Sequence, residues 1–245
     1  MPPICYSIKM PKFKKILLKM SGEVLAGSQN HGLDFKTVSS FAKNLAEIAN
    51  SGIELSIVIG GGNMLRGRDA LEYGLDRVSV DSIGMLGTVM NALAIKAALA
   101  NFNVKAQVLS AVGMSPLADL YNRERAKDLL SSGYVVLFAA GTGHPFFSTD
   151  TAAALRASEL GLDCVVKATK VNGIYDKDPM KFSDAKFIPE LKYDEAIKLN
   201  IEVLDTAAFA ICRENKIPIW VLSIQDSNWV KNIIEGVKTG TLVTQ

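Results

Sequence analysis

Three consecutive glycines, Gly60 to Gly62, follow the apolar run "IVI" and precede Asn63, with Arg66 and Arg68 just beyond. Each glycine costs roughly 0.5–1 kcal/mol against alanine in regular structure. A simple turn needs only one or two, so close approach of bare backbone to an anion accounts better for three. Arginine beyond such a loop can grip a phosphate through two parallel hydrogen bonds, although one of the pair could equally be solvated surface. Lys19 ends the run "ILL" and is followed by Ser21 and Gly22, whose N–H groups could reach the same oxygens. Taken alone, Lys19 also reads as a side chain snorkelling at a sheet edge. A third segment, "TGHPFFST", offers hydroxyls at Thr142, Ser148 and Thr149, flexible backbone at Gly143, and the adjacent aromatics Phe146 and Phe147. It fits a loop that binds a second substrate. It also fits a turn before a helix capped by Thr149 or Asp150, with the phenylalanines in the core.

Several chemistries fail on spacing. No glycine is followed by lysine, which removes G-x-x-x-x-G-K-[ST], and G-x-G-x-x-G fails at every glycine cluster. There is no G-x-S-x-G elbow. The two glycine-rich loops, Lys19 and a nearby arginine supply the ingredients for phosphoryl transfer from a nucleotide to another phosphate. Two unit charges 4 Å apart repel by about 4 kcal/mol at an effective dielectric near 20, so cations and N–H donors must gather where the phosphates meet.

Those loops need elements to hold them. Apolar runs at 15–20, 53–60, 104–112, 133–141, 163–169 and 217–224 are continuous, as in strands buried on both faces. Between them, Phe35, Val38, Phe41, Leu45 and Ile48 keep helical spacing behind a cap at Asp34, with Gly52 closing the helix. Asp81 to Ala100 reads as a long helix, and "NRERAKDLLSSG" and "DTAAALRASELG" each end at a glycine. The alternation predicts an α/β fold, a three-layer sandwich around a mostly parallel sheet. Ligands of such sheets collect at the carboxyl ends of the strands. Residues 1–11 read as an N-terminal extension and 12–245 as one domain, with 175–189 a charged, proline-bounded excursion from regular structure.

Composition agrees with a local site. The 27 basic and 25 acidic residues nearly cancel, so no overall field favours nucleic acid or a membrane. Three scattered cysteines without C-x-x-C and only two histidines, His31 and His144, disfavour a disulfide framework and a zinc site. No apolar run approaches the ~18 residues of a spanning helix, which predicts a cytoplasmic protein.

In order along the chain, "ILLKMSGE", "VIGGGNMLRG", "DSIGMLGTVMNALA", "AAGTGHPFFSTDTAA", "KATKVNGIYDKDP" and "LDTAAFAICRENKIPI" resemble bacterial-type UMP kinases of the amino acid kinase fold. The resemblance implies transfer of a phosphoryl group from ATP to UMP with Mg²⁺, in a homohexamer typically activated by GTP and inhibited by UTP. It implies that Lys19, Met20, Ser21 and Gly22, continued by Gly62 and Arg66, hold ATP phosphates, and that Thr169, Tyr175 and Asp178 receive the rest of ATP. Gly61, Asp81 and the run Thr142, Gly143, His144, Pro145, Phe146, Phe147, Ser148 and Thr149 would bind UMP. Asp205 would organise Lys19 or the metal; by itself it is most simply a helix cap. His144 stands where these kinases commonly carry asparagine, and 27–32 corresponds to the region associated with GTP. Two other readings are a kinase of the same fold acting on a carboxylate and a non-catalytic binder of nucleotides or oxyanions.

Overall fold

A computed structural model of the chain describes residues 12–245 except 30, 66–71, 200 and 202. Arg66, Arg68 and the N-terminal extension therefore lie outside the described residues. In chain order the strands are β1 (Lys15–Met20), β2 (Glu54–Ile59), β3 (Ala106–Ser110), β4 (Asp119–Leu120), β5 (Val135–Ala139), β6 (Cys164–Thr169), β7 (Ile174–Tyr175), β8 (Phe187–Ile188), β9 (Glu190–Lys192), β10 (Ile219–Ser223) and β11 (Thr241–Thr244). Nine of them form one sheet in the order β4-β3-β5-β2-β1-β6-β10-β11-β9, and β7 pairs with β8 as a separate hairpin. Only β10 and β11 run antiparallel within the large sheet. The six apolar runs are its six central strands, buried on both faces as their continuous character requires.

The helices are α1 (Phe35–Asn50), α2 (Arg77–Ala100), α3 (Arg123–Ser131), α4 (Thr149–Leu160), α5 (Tyr193–Lys198), α6 (Thr206–Glu214) and α7 (Trp229–Glu235). Alternation along the strands sorts the two cores. Ile16, Leu18 and Met20 of β1 face α1, α2 and α7, and Leu17 faces the layer built by α3 to α6. Asp34 caps α1 as expected, its side chain accepting from the Lys36 N–H at 3.2 Å. The cap of α4 is Ser148 rather than Thr149 or Asp150: its Oγ accepts from the N–H groups of Asp150 and Thr151 at 2.9 and 3.3 Å. Ser148 carries a short acceptor side chain like its two neighbours and takes that place one residue earlier. Gly161 ends the helix in the left-handed region at φ 63°.

The long helix begins four residues earlier than its apolar pattern suggested, behind a cap at Asp76, so Asp81 stands inside α2 instead of at its start. Its length and composition would suffice to cross a membrane. The expectation that no segment had that capacity overlooked how thinly Thr88, Asn91 and Lys96 are spread among its apolar residues. One side, through Val89, Ala92, Ile95 and Leu99, is buried against the sheet, while Val78, Ile83, Leu86 and Met90 are exposed. The excursion at 175–189 is closed at its base by the β7–β8 hairpin, where Tyr175 and Phe187 meet edge to face at 5.5 Å.

Candidate functional site

Lys19 and Lys167 lie opposite each other in the parallel pairing of β1 with β6, one row beyond Leu17 and Val165. The two-residue period of a strand puts all four on one face, the face covered by α4. Asp150, in the first turn of α4, meets both ammonium groups: its Oδ1 lies 2.7 Å from Lys19 Nζ and 2.6 Å from Lys167 Nζ. Lys19 is buried, only 6% exposed. Its position is therefore not that of a lysine snorkelling from a sheet edge.

Charge balance governs this cluster. Burial raises the Asp150 pKa, but the two lysines more than offset it, so the carboxyl is held below its usual range and stays ionised. Burial, and then the Lys19 charge, push Lys167 down to about 8 against the raising effect of Asp150. At neutral pH the cluster carries two positive charges and one negative. The N-terminus of α4 adds a partial positive charge beside it.

The glycine loop after β2 is held from beneath by two fully buried asparagines. Asn63 and Asn91 exchange side-chain hydrogen bonds of 2.9 and 2.7 Å, and Asn91 donates to the Gly60 carbonyl at 2.8 Å. Asn63 also donates to the Gly32 carbonyl at 2.7 Å, tying Gly32 to the same loop. Packing explains part of the glycine run. A Cβ on Gly61 would stand 2.6 Å from the Gly84 carbonyl of α2, whereas one on Gly62 would meet nothing closer than 3.9 Å among the described residues. Gly61 is thus demanded by helix contact, and the argument for bare backbone facing an anion rests on its neighbours. Gly61→Ala is expected to destabilise the protein by about 1–3 kcal/mol, the usual cost of overpacking; a urea midpoint equal to that of the parent would show that α2 simply moves away.

The 142–149 loop faces this one across a cavity of about 380 Å³ lined by Gly61, Gly62, Asp81, Thr142, His144, Phe147, Ser148 and Thr149, among others. Gly143, Pro145 and Phe146 of the expected segment are not on its wall. The phenylalanines are not core: Phe146 is 66% and Phe147 54% exposed. Phe146 takes φ 71°, a costly region for a side chain with a Cβ. Asp81 holds it there, accepting from the Phe146 N–H at 2.7 Å and from Arg77 Nε at 2.8 Å.

Asp205 caps α6, accepting from the Ala208 N–H at 2.7 Å, and its carboxylate also receives the hydroxyls of Ser148 and Thr151. It does not pair with Lys19. The carboxylate that does is Asp150; Asp205 fixes the start of α4 through Ser148 and Thr151, and α4 presents Asp150. A second cavity of about 380 Å³ is bounded by Ser148, Asp150, Ile201, Asp205 and Phe209. A third, also about 380 Å³, shares Ile201 and is lined by Tyr175, Asp178, Leu199 and Val203. Thr169 stands at the end of β6 with its hydroxyl turned inward, donating to the Val171 carbonyl at 2.6 Å.

A family model described as amino acid kinase family matches residues 14–223, and uridylate kinase of Legionella pneumophila (strain Corby) is 45% identical over 232 residues, spanning 95% of this chain and 94% of the relative. The chain belongs to the amino acid kinase family. Among solved structures, UMP kinase from Bacillus anthracis is 35% identical with a TM-score of 0.92, covering 96% of this chain and 97% of that one. UMP kinase from Ureaplasma parvum is 33% identical with a TM-score of 0.89, over 96% of this chain and 100% of that one. Within the amino acid kinase family the chain is therefore closely related to bacterial UMP kinase.

In this chain Lys19 stands at the carboxyl end of β1, Gly61 and Gly62 follow β2, and 142–149 follows β5, with Asp81 bonded to the Phe146 N–H. Asp150, Lys167, Asn63 and Asn91 were missed. A signal for Lys167 was present, because "ILLK" and "CVVK" carry lysine at the same place in two apolar strands. Among the described residues, no three His, Cys, Asp or Glu side chains converge on a metal-binding point. Asp150 and Asp205 are already engaged by cations, hydroxyls and an N–H.

Proposed function

We propose that this chain is an ATP-dependent UMP kinase, converting UMP to UDP with release of ADP, and acting in the cytoplasm as a step of pyrimidine nucleotide synthesis. The observation that carries the reading is the seam at the start of α4. Ser148 lines both the glycine-loop cavity and the cavity beside Asp205, and the Lys19 cluster is held by Asp150 two residues further on. Two ligands entering from the two sides would bring their phosphates together at an N-terminal helix end and a net positive cluster. UMP would occupy the cavity with Asp81 and Thr142. ATP would reach the seam from the side of Tyr175 and Asp178, with Met20, Ser21, Gly22 and Arg66 joining Lys19 around its phosphates.

The reaction needs little else from the protein. A nucleotide monophosphate is largely a dianion near neutral pH, its second pKa being near 6, so its oxygen attacks without a general base. Asp150, held ionised by two lysines, orients cations and takes no proton. The bond from the γ-phosphorus to its bridging oxygen breaks, a bond to the UMP phosphate oxygen forms, and ADP leaves with the electron pair. Lys19 and the α4 N–H groups would offset the charge that crowds together.

Association of copies belongs to the same reading. Ile83, Leu86 and Met90, exposed along one side of α2, support a homohexamer through that helix. The Asn63 bonds to Gly32 supply a physical route by which GTP or UTP, bound elsewhere, would act on the glycine loop.

The test is ADP release with ATP and Mg²⁺, comparing UMP, CMP, dTMP, acetylglutamate and aspartate at one concentration. Strong preference for UMP is expected. Preference for a carboxylate, or saturable ATP binding without ADP release, would overturn the reading.

A further inference from the structure

Asp81, Gly84, Thr88 and Asn91 follow one another along α2 at the three- and four-residue spacing that keeps positions on one helix face. Each reaches a loop at the carboxyl end of the sheet. Asp81 holds the Phe146 N–H, Gly84 packs on Gly61, and Thr88 Oγ1 accepts from the Ala140 N–H at 2.7 Å, where Ala140 takes φ 60°. Asn91 completes the face by pairing with Asn63. Both asparagines are fully buried, and the four N–H groups of their two amides are all engaged, on Gly32, on Gly60 and on each other. A buried polar pair satisfied this completely admits one geometry. The loop after β1 is seated on it. A Cβ on Gly22 would stand 2.3 Å from Asn63 Oδ1, 2.8 Å from Asn91 Nδ2 and 2.2 Å from the Gly60 carbonyl oxygen, so only glycine fits there. The Met20 carbonyl in turn accepts the Gly60 N–H at 3.0 Å. Apolar side chains of similar size would fill the same space without fixing where either loop lies.

We propose that Asn63 and Asn91 are positioning residues for phosphoryl transfer, setting the separation between the loop after β1, which would hold ATP phosphates, and the loop after β2, beside which UMP would bind. The proposal rests on the kinase reading above. Both amides lie beneath the loops and exchange no proton with a substrate; they act through Gly22 and Gly60. The pair fixes how far Lys19 to Gly22 stand from Gly61, and so whether the γ-phosphorus and the attacking UMP oxygen meet in line. Misplacing reacting atoms by about 1 Å costs on the order of 10²-fold in rate. Affinity for each nucleotide depends on its own loop and should change little.

Asn91→Ala and Asn63→Ala test it, with Ser56→Ala as a structural control. Ser56 is also fully buried and donates from β2 to the Ile16 carbonyl of β1 at 3.1 Å, joining the same two strands away from the loops. All three variants lose a buried hydrogen bond and should unfold at lower urea concentration than the parent. The rates separate them. At a temperature where every variant is fully folded, kcat should fall about 10²-fold in Asn91→Ala and at least ~10-fold in Asn63→Ala, with KM for ATP and for UMP within about threefold of the parent. Ser56→Ala should keep the parental kcat. Parental kcat in folded Asn91→Ala, an equal loss in Ser56→Ala, a loss carried by KM alone, or failure of both asparagine variants to fold would overturn the proposal.

Failure of the kinase reading is separable, because the seating of the loops is measurable with no nucleotide present. If the parent phosphorylates no acceptor, amide hydrogen exchange decides. Exchange of the Gly60 N–H at least ~10-fold faster in Asn91→Ala than in Ser56→Ala upholds the positioning of the two loops, and equal exchange in the two variants overturns it.

Discussion

Asp150→Asn is expected to lower the unfolding free energy by about 3 kcal/mol near neutral pH, because it strands two buried ammonium groups on a carboxamide. For a chain of 245 residues that corresponds to a fall of roughly 6–12 °C in Tm, at about 2–4 °C per kcal/mol. The pH dependence has a definite sign. Without the carboxylate, nothing opposes the burial and the Lys19 charge that already depress Lys167 to about 8. The unfolded variant then binds more protons than the folded one across the range up to the ordinary lysine value near 10.4, so its stability must rise with pH there. The deficit relative to the parent should therefore shrink as pH increases from 7 to 9. Urea unfolding at both pH values measures this. A deficit that grew with pH, or none at all, would mean that Asp150 does not hold the two lysines in charged form. Activity should fall as well, since the lysines lose the group that fixes them.

Lys19→Ala probes the opposite balance. Its removal leaves Asp150 paired with Lys167 at 2.6 Å, a neutral couple, so the fold should survive with stability close to that of the parent. Turnover should nevertheless fall at least ~10²-fold, the scale for losing one donor aimed at charge that develops in the transition state. Steady-state rates and an unfolding curve on the same sample separate the two effects. Turnover within a few-fold of the parent would remove Lys19 from the chemistry and take the kinase mechanism with it. The contrast with Asp150→Asn is the useful part. One change costs activity alone and the other costs activity and stability, because the cluster tolerates losing a cation and cannot tolerate losing its only anion.

The alternation of continuous apolar runs with helical ones was enough to place the six central strands and the α/β class. Those patterns report burial on both sheet faces and amphipathic helix faces, which are properties of each segment by itself. The loops after β1, β2 and β5 were marked by residue types that open chain rarely needs, and Lys19, Gly62, Thr142 and Ser148 do meet at one end of the sheet. The shape of that end was not legible. Gly61 looked like one of three equivalent glycines until α2 crossed over it, and Phe146 and Phe147 read equally as loop or core until the loop turned them outward. The cap of α4 fell at Ser148 and not at the Thr149 or Asp150 that the string suggested, because capping depends on where the helix hydrogen bonds begin.

The acidic partner of Lys19 shows the division most plainly. From residue types alone, Asp150 and Asp205 are two aspartates at the starts of two helices, and each reads as a cap. Lys19 and Lys167 are separated by the whole of α1 to α4. Strand order makes β1 and β6 neighbours, in-register pairing sets the lysines opposite each other, and the position of α4 over that face puts Asp150 between them. The sequence by itself determined which segments would be buried and which loops carry phosphate-binding residue types, since those follow from local periodicity and side-chain chemistry. The tertiary structure decided which charges face each other, because a buried charge takes its role from its nearest counter-ion, and that neighbour is chosen by packing between segments far apart in the chain.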